Sequence, residues 1–272
     1  MFRILFLIPA LLVITTINLV ACSVLYYVDK KSGKIYVANH EDYWYDVKAY
    51  LRVIPAKKNK LARLWYGWDD FAQGGINEAG LFFDGAVTPE EERPEGYHPP
   101  KGNLGDELLA NCKNVEEALN FLESRKIALN NAHMMLGDQN GQAVVVEWVR
   151  GKKQLVWLEE STHLTMTNFH LSTTPDDDVV CPRYQAIEQA IEQMENSVTD
   201  IDLLNVGNTL AGAAQPARAN QEGKLGGTLY SSFINLTDME FYLVYQLDNN
   251  KVTRLMLNEV FEENKRKKIR LR

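Results

Sequence analysis

The chain has 272 residues, of which 46% are hydrophobic and 10% aromatic, and a formal net charge of -7. This length and composition fit one sizeable globular domain with a substantial core. The negative charge argues against nucleic acid as a partner.

The N-terminal residues have the pattern of a secretory leader. Residues 1–3 form a short, weakly basic start, and residues 4–20 are almost wholly apolar and are followed by the small residue Ala21. The pattern predicts a signal peptide over residues 1–21 and export to the periplasm or the extracellular space. A retained membrane anchor is the alternative, since a spanning helix needs about 20 apolar residues and this run is slightly shorter.

Cleavage before Cys22 has two incompatible consequences. An ordinary signal peptidase would leave Cys22 with a free amine and a free thiol, at the start of a single predicted domain over residues 22–272. The run Leu19, Val20, Ala21 and Cys22 also matches the lipobox of bacterial lipoproteins, in which the cysteine becomes a lipid anchor. The bulky Leu19 slightly favours the lipobox, so this stretch leaves both interpretations open.

The first predicted elements form a hairpin. Aromatic and β-branched residues predict a strand at residues 24–28, a short turn at 30–33 and a partner strand at 35–38. The polar residues 39–42 are then expected to leave the end of the second strand. Because the hairpin loop is short, this pairing brings the polar group close to Cys22.

Strands and helices alternate along the rest of the chain. Further strands are predicted at residues 49–54, 62–66, 133–136, 143–149, 154–159, 163–169, 228–236, 240–247 and 251–257. Helices are predicted at residues 104–112, after the N-cap Asn114, and at 182–196 and 200–211. The short hairpin connections imply antiparallel sheets, and the predicted class is α+β.

Three segments are predicted to be irregular. Residues 74–80 form a glycine-rich turn that lacks nucleotide-binding spacing. Residues 89–102, rich in Pro and Glu, form an exposed loop that borders a substrate cleft. The basic run at residues 265–272 is expected to be a solvated, frayed tail, with contact to an anionic surface or partner as the alternative.

The cysteines leave one question open. The chain contains Cys22, Cys112 and Cys181, and in an exported protein the last two either form a disulfide or stay as two buried thiols. Neither the cysteines nor the five histidines show zinc-site spacing, so we predict no metal and no cofactor.

Six short motifs occur in a family's order. They are Cys22 before a strand, the segment with Asn39, Glu41 and Asp42, the turn with Gly75, Asn77, Glu78, Gly80 and Leu81, the pair Thr167 and Asn168, the pair Arg183 and Tyr184, and the run Thr228, Leu229 and Tyr230. With them the chain resembles the cysteine N-terminal nucleophile (Ntn) hydrolases of the choloylglycine hydrolase and penicillin V acylase superfamily, close to the acyl-CoA:6-aminopenicillanate acyltransferase-like branch of linear amide hydrolases. The resemblance implies a four-layer αββα sandwich of antiparallel sheets flanked by helices.

The same resemblance implies a mechanism. An N-terminal cysteine carries its own base, because its α-amine has a pKa of roughly 7.7 to 8.0 and lies beside a thiol with a pKa of about 8.5. Asp42 would orient this amine, Asn168 would donate to the oxyanion, and Arg183 would hold the thiolate through its positive charge. The implied reaction cleaves a linear amide of a small N-acyl compound through a thioester.

The chain departs from the family near the substrate. Asn39 stands where bile salt hydrolases and penicillin V acylases have an arginine, so a contact to the sulfur or the substrate is missing. The second oxyanion contributor falls among residues 84–87. The residues predicted to bind the substrate are Asn39, Asp84, Tyr43 and Trp44. Tyr43 and Trp44 would suit an apolar acyl pocket, although core packing explains such aromatics more often. The substrate loops differ from those of bile salt enzymes, so bile salts are not predicted.

Three functions therefore compete. The first is an exported amide hydrolase with Cys22 as nucleophile, and the second is a lipoprotein tethered at Cys22 with a binding or scaffolding role. The third is acyl transfer to an amine instead of water. A homo-oligomer is compatible with all three, and one fold supports many activities.

Overall fold

The computed structural model describes residues 22–175 and 178–272. The expected signal peptide, its membrane-anchor alternative and the lipobox residues before Cys22 lie outside these ranges. Within them, no helix is long and apolar enough to cross a membrane.

The described ranges contain fifteen strands and five α-helices. The strands are β1 (Ser23–Val28), β2 (Ile35–Trp44), β3 (Ala49–Ile54), β4 (Arg63–Trp68), β5 (Phe71–Asn77), β6 (Phe82–Val87), β7 (Ala132–Gly137), β8 (Ala143–Val149), β9 (Lys152–Trp157), β10 (His163–Met166), β11 (Arg218–Ala219), β12 (Leu225–Asn235), β13 (Glu240–Tyr245), β14 (Val252–Met256) and β15 (Lys267–Arg270). The helices are α1 (Leu104–Asn111), α2 (Val115–Ser124), α3 (Pro182–Ser197), α4 (Leu203–Thr209) and α5 (Leu257–Glu262).

All strand pairings are antiparallel, and they form two sheets. The first sheet has seven strands in the order β10-β1-β2-β12-β13-β14, with β11 paired to β12. The second has eight strands in the order β15-β3-β4-β5-β6-β7-β8-β9. The predicted α+β class is confirmed.

Alternation along the strands builds a sandwich of four layers. In β1, Val24 and Tyr26 face the core between the two sheets, while Leu25 and Tyr27 face the core beneath α3 and α4. A third apolar cluster packs α1 and α2 on the second sheet. The resulting order, helices, sheet, sheet, helices, is the predicted αββα arrangement.

Two helices, α2 and α4, begin at residues whose side chains cap the helix. The Asn114 side chain accepts a hydrogen bond from the Glu117 backbone N–H at 2.9 Å and caps α2 as predicted. Asp202 and Asn205 form a reciprocal capping box at the start of α4. Each cap satisfies backbone donors that the first helical turn leaves unpaired, which typically contributes about 1 kcal/mol.

The second strand is longer than predicted. Residues 39–42 do not leave the strand, because β2 continues through them to Trp44 and pairs with β12, opposite Thr228 and Tyr230. The register Ser23↔His40 in the first hairpin confirms that the polar group lies beside Cys22.

The predicted glycine-rich turn is also wrong in part. Gly74 and Gly75 lie inside β5, and only the residues after Asn77 turn. A Cβ on Gly74 would stand 2.1 Å from Asp84 Oδ2, so the glycine is needed for close approach to a neighbouring side chain.

The C-terminal residues are ordered against the second sheet. Residues 267–270 form β15 and pair with β3, and Leu271 is buried, so the expected frayed tail is wrong. Helix α5 begins at Leu257, where a strand was expected to end, and β10 ends at Met166 rather than at residue 169. Cys112 and Cys181 are both free thiols, so the disulfide alternative is not realised. Cys112 is buried as expected, whereas Cys181 is partly exposed.

Candidate active site

Cys22 lies at the start of β1, against one wall of a cavity of about 370 Å³. Its side chain is only 2% exposed, and its Sγ donates a hydrogen bond to Glu41 Oε1 at 3.1 Å. This contact follows from the hairpin register, which places Ser23 opposite His40 and thus Cys22 beside Glu41. The nucleophile candidate therefore faces both a ligand-sized space and a carboxyl group.

The cavity walls are largely apolar. They include Trp68, Phe71, Phe83, Leu104 and Met134. The ring of Tyr43, also in the wall, stacks on Trp68 with a centroid distance of 4.3 Å. A mostly apolar cleft of a few hundred Å³ with a few polar groups is typical of small-molecule sites.

Asp42 is fully buried behind the nucleophile. Its Oδ1 accepts a hydrogen bond from Thr228 Oγ1 at 2.6 Å, and its Oδ2 has no hydrogen-bond partner among the described residues. Burial raises the pKa of Asp42 to about 7, although the bond from Thr228 and the charge of Arg183 lower it. A cation placed near Oδ2 would restore the ionised form.

Arg183 links the nucleophile to the segment after β10. It lies in the first turn of α3, and its Nη1 donates to the Cys22 carbonyl at 2.6 Å and to Ser23 Oγ at 2.9 Å. Its Nη2 donates to Asn168 Oδ1 at 2.9 Å. These bonds fix the backbone of the nucleophile, while the expected contact of Arg183 with the thiolate stays a prediction.

Asn168 joins the two sheets beside Cys22. Its Nδ2 donates to the carbonyl of Val87, at the end of β6, at 2.7 Å. An amide nitrogen carries two N–H groups, so the same side chain is able to donate a second bond. Its role as oxyanion donor stays a prediction.

A second carboxyl group lies beneath Glu41. Asp84 accepts a hydrogen bond from the Tyr66 hydroxyl at 2.8 Å, and its other oxygen, Glu41 Oε2 and the Tyr230 hydroxyl have no hydrogen-bond partner in the described part of the chain. Burial, and then the charge of Asp84, raises the pKa of Glu41 well above its usual value. Burial also raises the pKa of Asp84.

The surroundings of the Cys22 thiol oppose its ionisation. Burial raises the pKa of Cys22, and the negative charges of Glu41 and Asp42 raise it further. Since the thiolate is the nucleophile, attack by this sulfur requires a nearby base or cation.

One known protein family matches most of the chain. Residues 28–250 match the family model described as acyl-coenzyme A:6-aminopenicillanic acid acyl-transferase. The chain belongs to this family. No curated protein matches the sequence.

Several solved structures share the fold of this chain. The chain resembles a variant of conjugated bile acid hydrolase from Clostridium perfringens, with a TM-score of 0.71 and 18% identity over 92% of this chain and 97% of that one. Penicillin V acylase from Agrobacterium tumefaciens gives 0.69 and 18%, over 91% and 90%. The Caenorhabditis elegans ortholog of N-acylethanolamine-hydrolyzing acid amidase gives 0.56 and 12%, over 79% and 93%. The predicted Ntn-hydrolase fold is confirmed.

Only one of the four predicted substrate-binding residues lines the cavity of this acyl-transferase family member. Tyr43 is in its wall, whereas Asn39, Asp84 and Trp44 are not. Asn39 and Asp84 are fully buried, and Asn39 accepts a bond from Ser232. Trp44 follows Tyr43 on the opposite face of β2, where Lys224 lies 4.9 Å from its ring.

Two residues of the site, Glu41 and His133, were not predicted from the sequence. Glu41 belongs to the polar segment, and alternation along a strand extended to Trp44 would have placed it on the same face as Tyr43. His133 also lines the cavity and is paired with the buried Glu147, which no local pattern indicates. Among the described residues, no group of three or more His, Cys, Asp or Glu side chains is arranged to hold a metal ion.

Proposed function

We propose that this chain is an exported hydrolase that cleaves the linear amide bond of a small N-acyl compound, with Cys22 as its nucleophile. The observation that carries the proposal is the thiol of Cys22 at the wall of an apolar cavity, with Glu41 at 3.1 Å. Family membership supports acyl chemistry, and two of the fold relatives are named as a bile acid hydrolase and a penicillin acylase.

Removal of residues 1–21 would supply the missing base. The α-amine then created on Cys22 has an ordinary pKa of roughly 7.7 to 8.0, close to neutral pH. It would accept the thiol proton, and the resulting ammonium would be stabilised by the free oxygen of Asp42. The sulfur would then attack the amide carbonyl, whose oxyanion would accept an N–H bond from Asn168.

Collapse of the tetrahedral intermediate completes acylation. The C–N bond breaks, the ammonium returns its proton to the leaving amine, and the acyl group stays on sulfur as a thioester. Water then attacks the thioester carbonyl while the α-amine takes its proton. The C–S bond breaks, and the products are a carboxylic acid and the regenerated thiol.

The cavity supports an apolar acyl group as the part of the substrate that binds deepest. Trp68, Phe83 and Leu104 offer hydrocarbon and aromatic surface, and burial of apolar surface contributes about 25 cal/mol per Å². The amine part of the substrate would then lie toward the open side of the cleft.

Acyl transfer is the second candidate, because the family is described as acyl-transferase. The same thioester would react with an amine in place of water, and the first half of the reaction would be unchanged. Hydroxylamine, added to the assay as an acceptor, would report transfer as an acyl hydroxamate.

The test starts with protein secreted from the full-length gene in a bacterial host. We expect an intact mass that begins with unmodified Cys22, one equivalent of iodoacetamide on that residue, and loss of amide hydrolysis in Cys22→Ala. Cys181→Ala, which removes a partly exposed thiol, is the matched control and should keep the activity. A diacylglycerol on Cys22, or full activity in Cys22→Ala, would overturn the proposal in favour of a tethered lipoprotein or another enzyme.

A further inference from the structure

Three hydrogen bonds attach the segment that carries Asn168 to a buried pair of residues in the second sheet. His133 Nε2 lies 2.6 Å from the carbonyl oxygen of Thr167, the residue before Asn168. Glu147 accepts the backbone N–H groups of Leu171 at 2.8 Å and Ser172 at 2.9 Å. Residues 167–172 are therefore held on both sides of Asn168.

The two members of the pair are also bonded to each other. His133 Nδ1 lies 2.9 Å from Glu147 Oε1, and both side chains have no exposed surface. They stand on neighbouring strands, β7 and β8, of the second sheet, whereas Thr167 follows β10 of the first. The pair thus bridges the two sheets next to the cavity, whose wall includes His133.

The partners of His133 define its charge. A neutral imidazole has one donor and one acceptor nitrogen, yet here one nitrogen faces a carbonyl oxygen and the other faces a carboxylate. Both partners only accept, so the ring that satisfies both is the doubly protonated imidazolium. Burial raises the pKa of Glu147, but the bonds from His133 and Ser172 outweigh it and lower the value to about 2.

We propose that His133 and Glu147 form an ion pair that positions the Asn168 amide toward the oxyanion of the reacting acyl group. The inference rests on the proposed function. Asn168 is oriented from its own side chain by Val87 and Arg183, and the pair fixes the backbone on either side of it. A shift of about 1 Å at a catalytic group is enough to cost two orders of magnitude in rate, which is why this backbone needs an anchor.

The test is a double-mutant cycle on the mature enzyme. Asn168→Ala should lower kcat about 10²- to 10³-fold, the usual cost of one oxyanion donor. Glu147→Gln should lower kcat about tenfold and leave KM within about twofold, since it disturbs an interaction made in the transition state. In the Asn168→Ala background, Glu147→Gln should cost less than about twofold, because both changes act through one amide.

Asp138→Asn is the matched control. Asp138 is a buried acid just beyond β7 that accepts the backbone N–H of Val115 at 3.0 Å, so it anchors α2 instead of the Asn168 segment. It should lose thermal stability as Glu147→Gln does and keep kcat. If Glu147→Gln does not fold, His133→Gln, which retains an N–H donor and removes the charge, takes its place in the cycle.

The outcomes separate the two proposals. Multiplicative losses in the double variant, or an equal fall of kcat in Asp138→Asn, would remove the positioning role and leave Cys22 catalysis in place. Full activity in Cys22→Ala would instead remove the proposed function, whatever the cycle gives. A fall in kcat that Glu147→Gln causes only in enzyme that retains Asn168 supports the positioning role of the pair.

Discussion

Two buried glutamates show how differently one fold treats the same side chain. Glu147 in β8 uses both oxygens, accepting bonds from His133, Leu171 and Ser172, and its pKa falls to about 2. Glu41 in β2 accepts one bond, from a thiol, has an oxygen without a partner among the described residues, and its pKa is raised. Both side chains are almost fully buried, so the donors around Glu147 and the neighbouring Asp84 beside Glu41 account for the opposite pKa shifts.

The difference separates a structural acid from a reactive one. An ionised carboxylate surrounded by donors resists change and is suited to hold a loop. A buried carboxyl group with few donors has a raised pKa, and such groups are common at catalytic sites. Glu41, which is short of donors, lies against the Cys22 thiol, and Glu147, which has several donors, lies behind the segment that carries Asn168.

The largest expected effect is on folding, from removal of the paired acid. With His133 charged, as in the proposed ion pair, Glu147→Ala leaves this cation and two backbone N–H groups buried without an acceptor. We expect a loss of roughly 3 to 5 kcal/mol of unfolding free energy, measured by urea denaturation at pH 7. A loss below about 1 kcal/mol would contradict the ion pair.

The second expected effect is an opposite pH dependence of the two glutamates. The folded pKa of Glu147 is lowered from 4.5 to about 2, so its stabilisation is present above pH 4.5 and is lost as the pH falls toward 2. This difference of about 2.5 pH units corresponds to roughly 3 kcal/mol of unfolding free energy. In acid denaturation, the unfolding free energies of wild type and Glu147→Gln should therefore approach each other as the pH falls.

Glu41 should behave in the reverse sense. Its folded pKa lies above 4.5, so its contribution is present below pH 4.5 and is lost as the pH rises toward the folded value. Glu41→Gln should therefore gain stability relative to wild type as the pH rises above 4.5. If Glu41→Gln instead lost stability relative to wild type over that range, Glu41 would be an ionised carboxylate with a stabilising partner.

A third prediction concerns the reactivity of the thiol. After burial, Glu41 is the largest cause of the raised pKa of Cys22. Above the pH at which Glu41 ionises, Glu41→Gln should speed alkylation of Cys22 by iodoacetamide about three- to tenfold, because removal of that charge leaves more thiolate. Asp84→Asn, which removes a more weakly acting carboxyl group, should give a smaller increase. Equal rates in wild type and Glu41→Gln would rule out this role.

The smallest expected effect comes from an exposed glutamate. The bonds from Lys126 and Lys153 lower the pKa of Glu123 to about 2, as low as that of Glu147. Its side chain is 40% exposed, so solvent screens the interaction. Glu123→Gln should cost less than about 1 kcal/mol in the same urea experiment. A larger loss of unfolding free energy would show that a lowered pKa indicates a stabilising interaction even for an exposed side chain.

Local features of the sequence determined the class of the fold and the identity of the nucleophile candidate. Asn114 with Glu117 fixed the start of a helix, and the first hairpin followed from its short turn, because both depend on neighbours within a few residues. The motifs around Cys22 indicated the family. Asp42, Asn168 and Arg183 all lie near it in the structure, although their roles remain predictions.

Tertiary structure alone decided the contents of the site. β2 extends through Glu41 because β12, nearly 190 residues later, supplies its hydrogen bonds, and no local pattern contains that partner. The C-terminal β15 is a strand because β3 pairs with it, and His133 meets Thr167 because two sheets stack. Pairing and stacking join residues far apart in the chain, so they set the charge of each buried acid, which residue types by themselves do not determine.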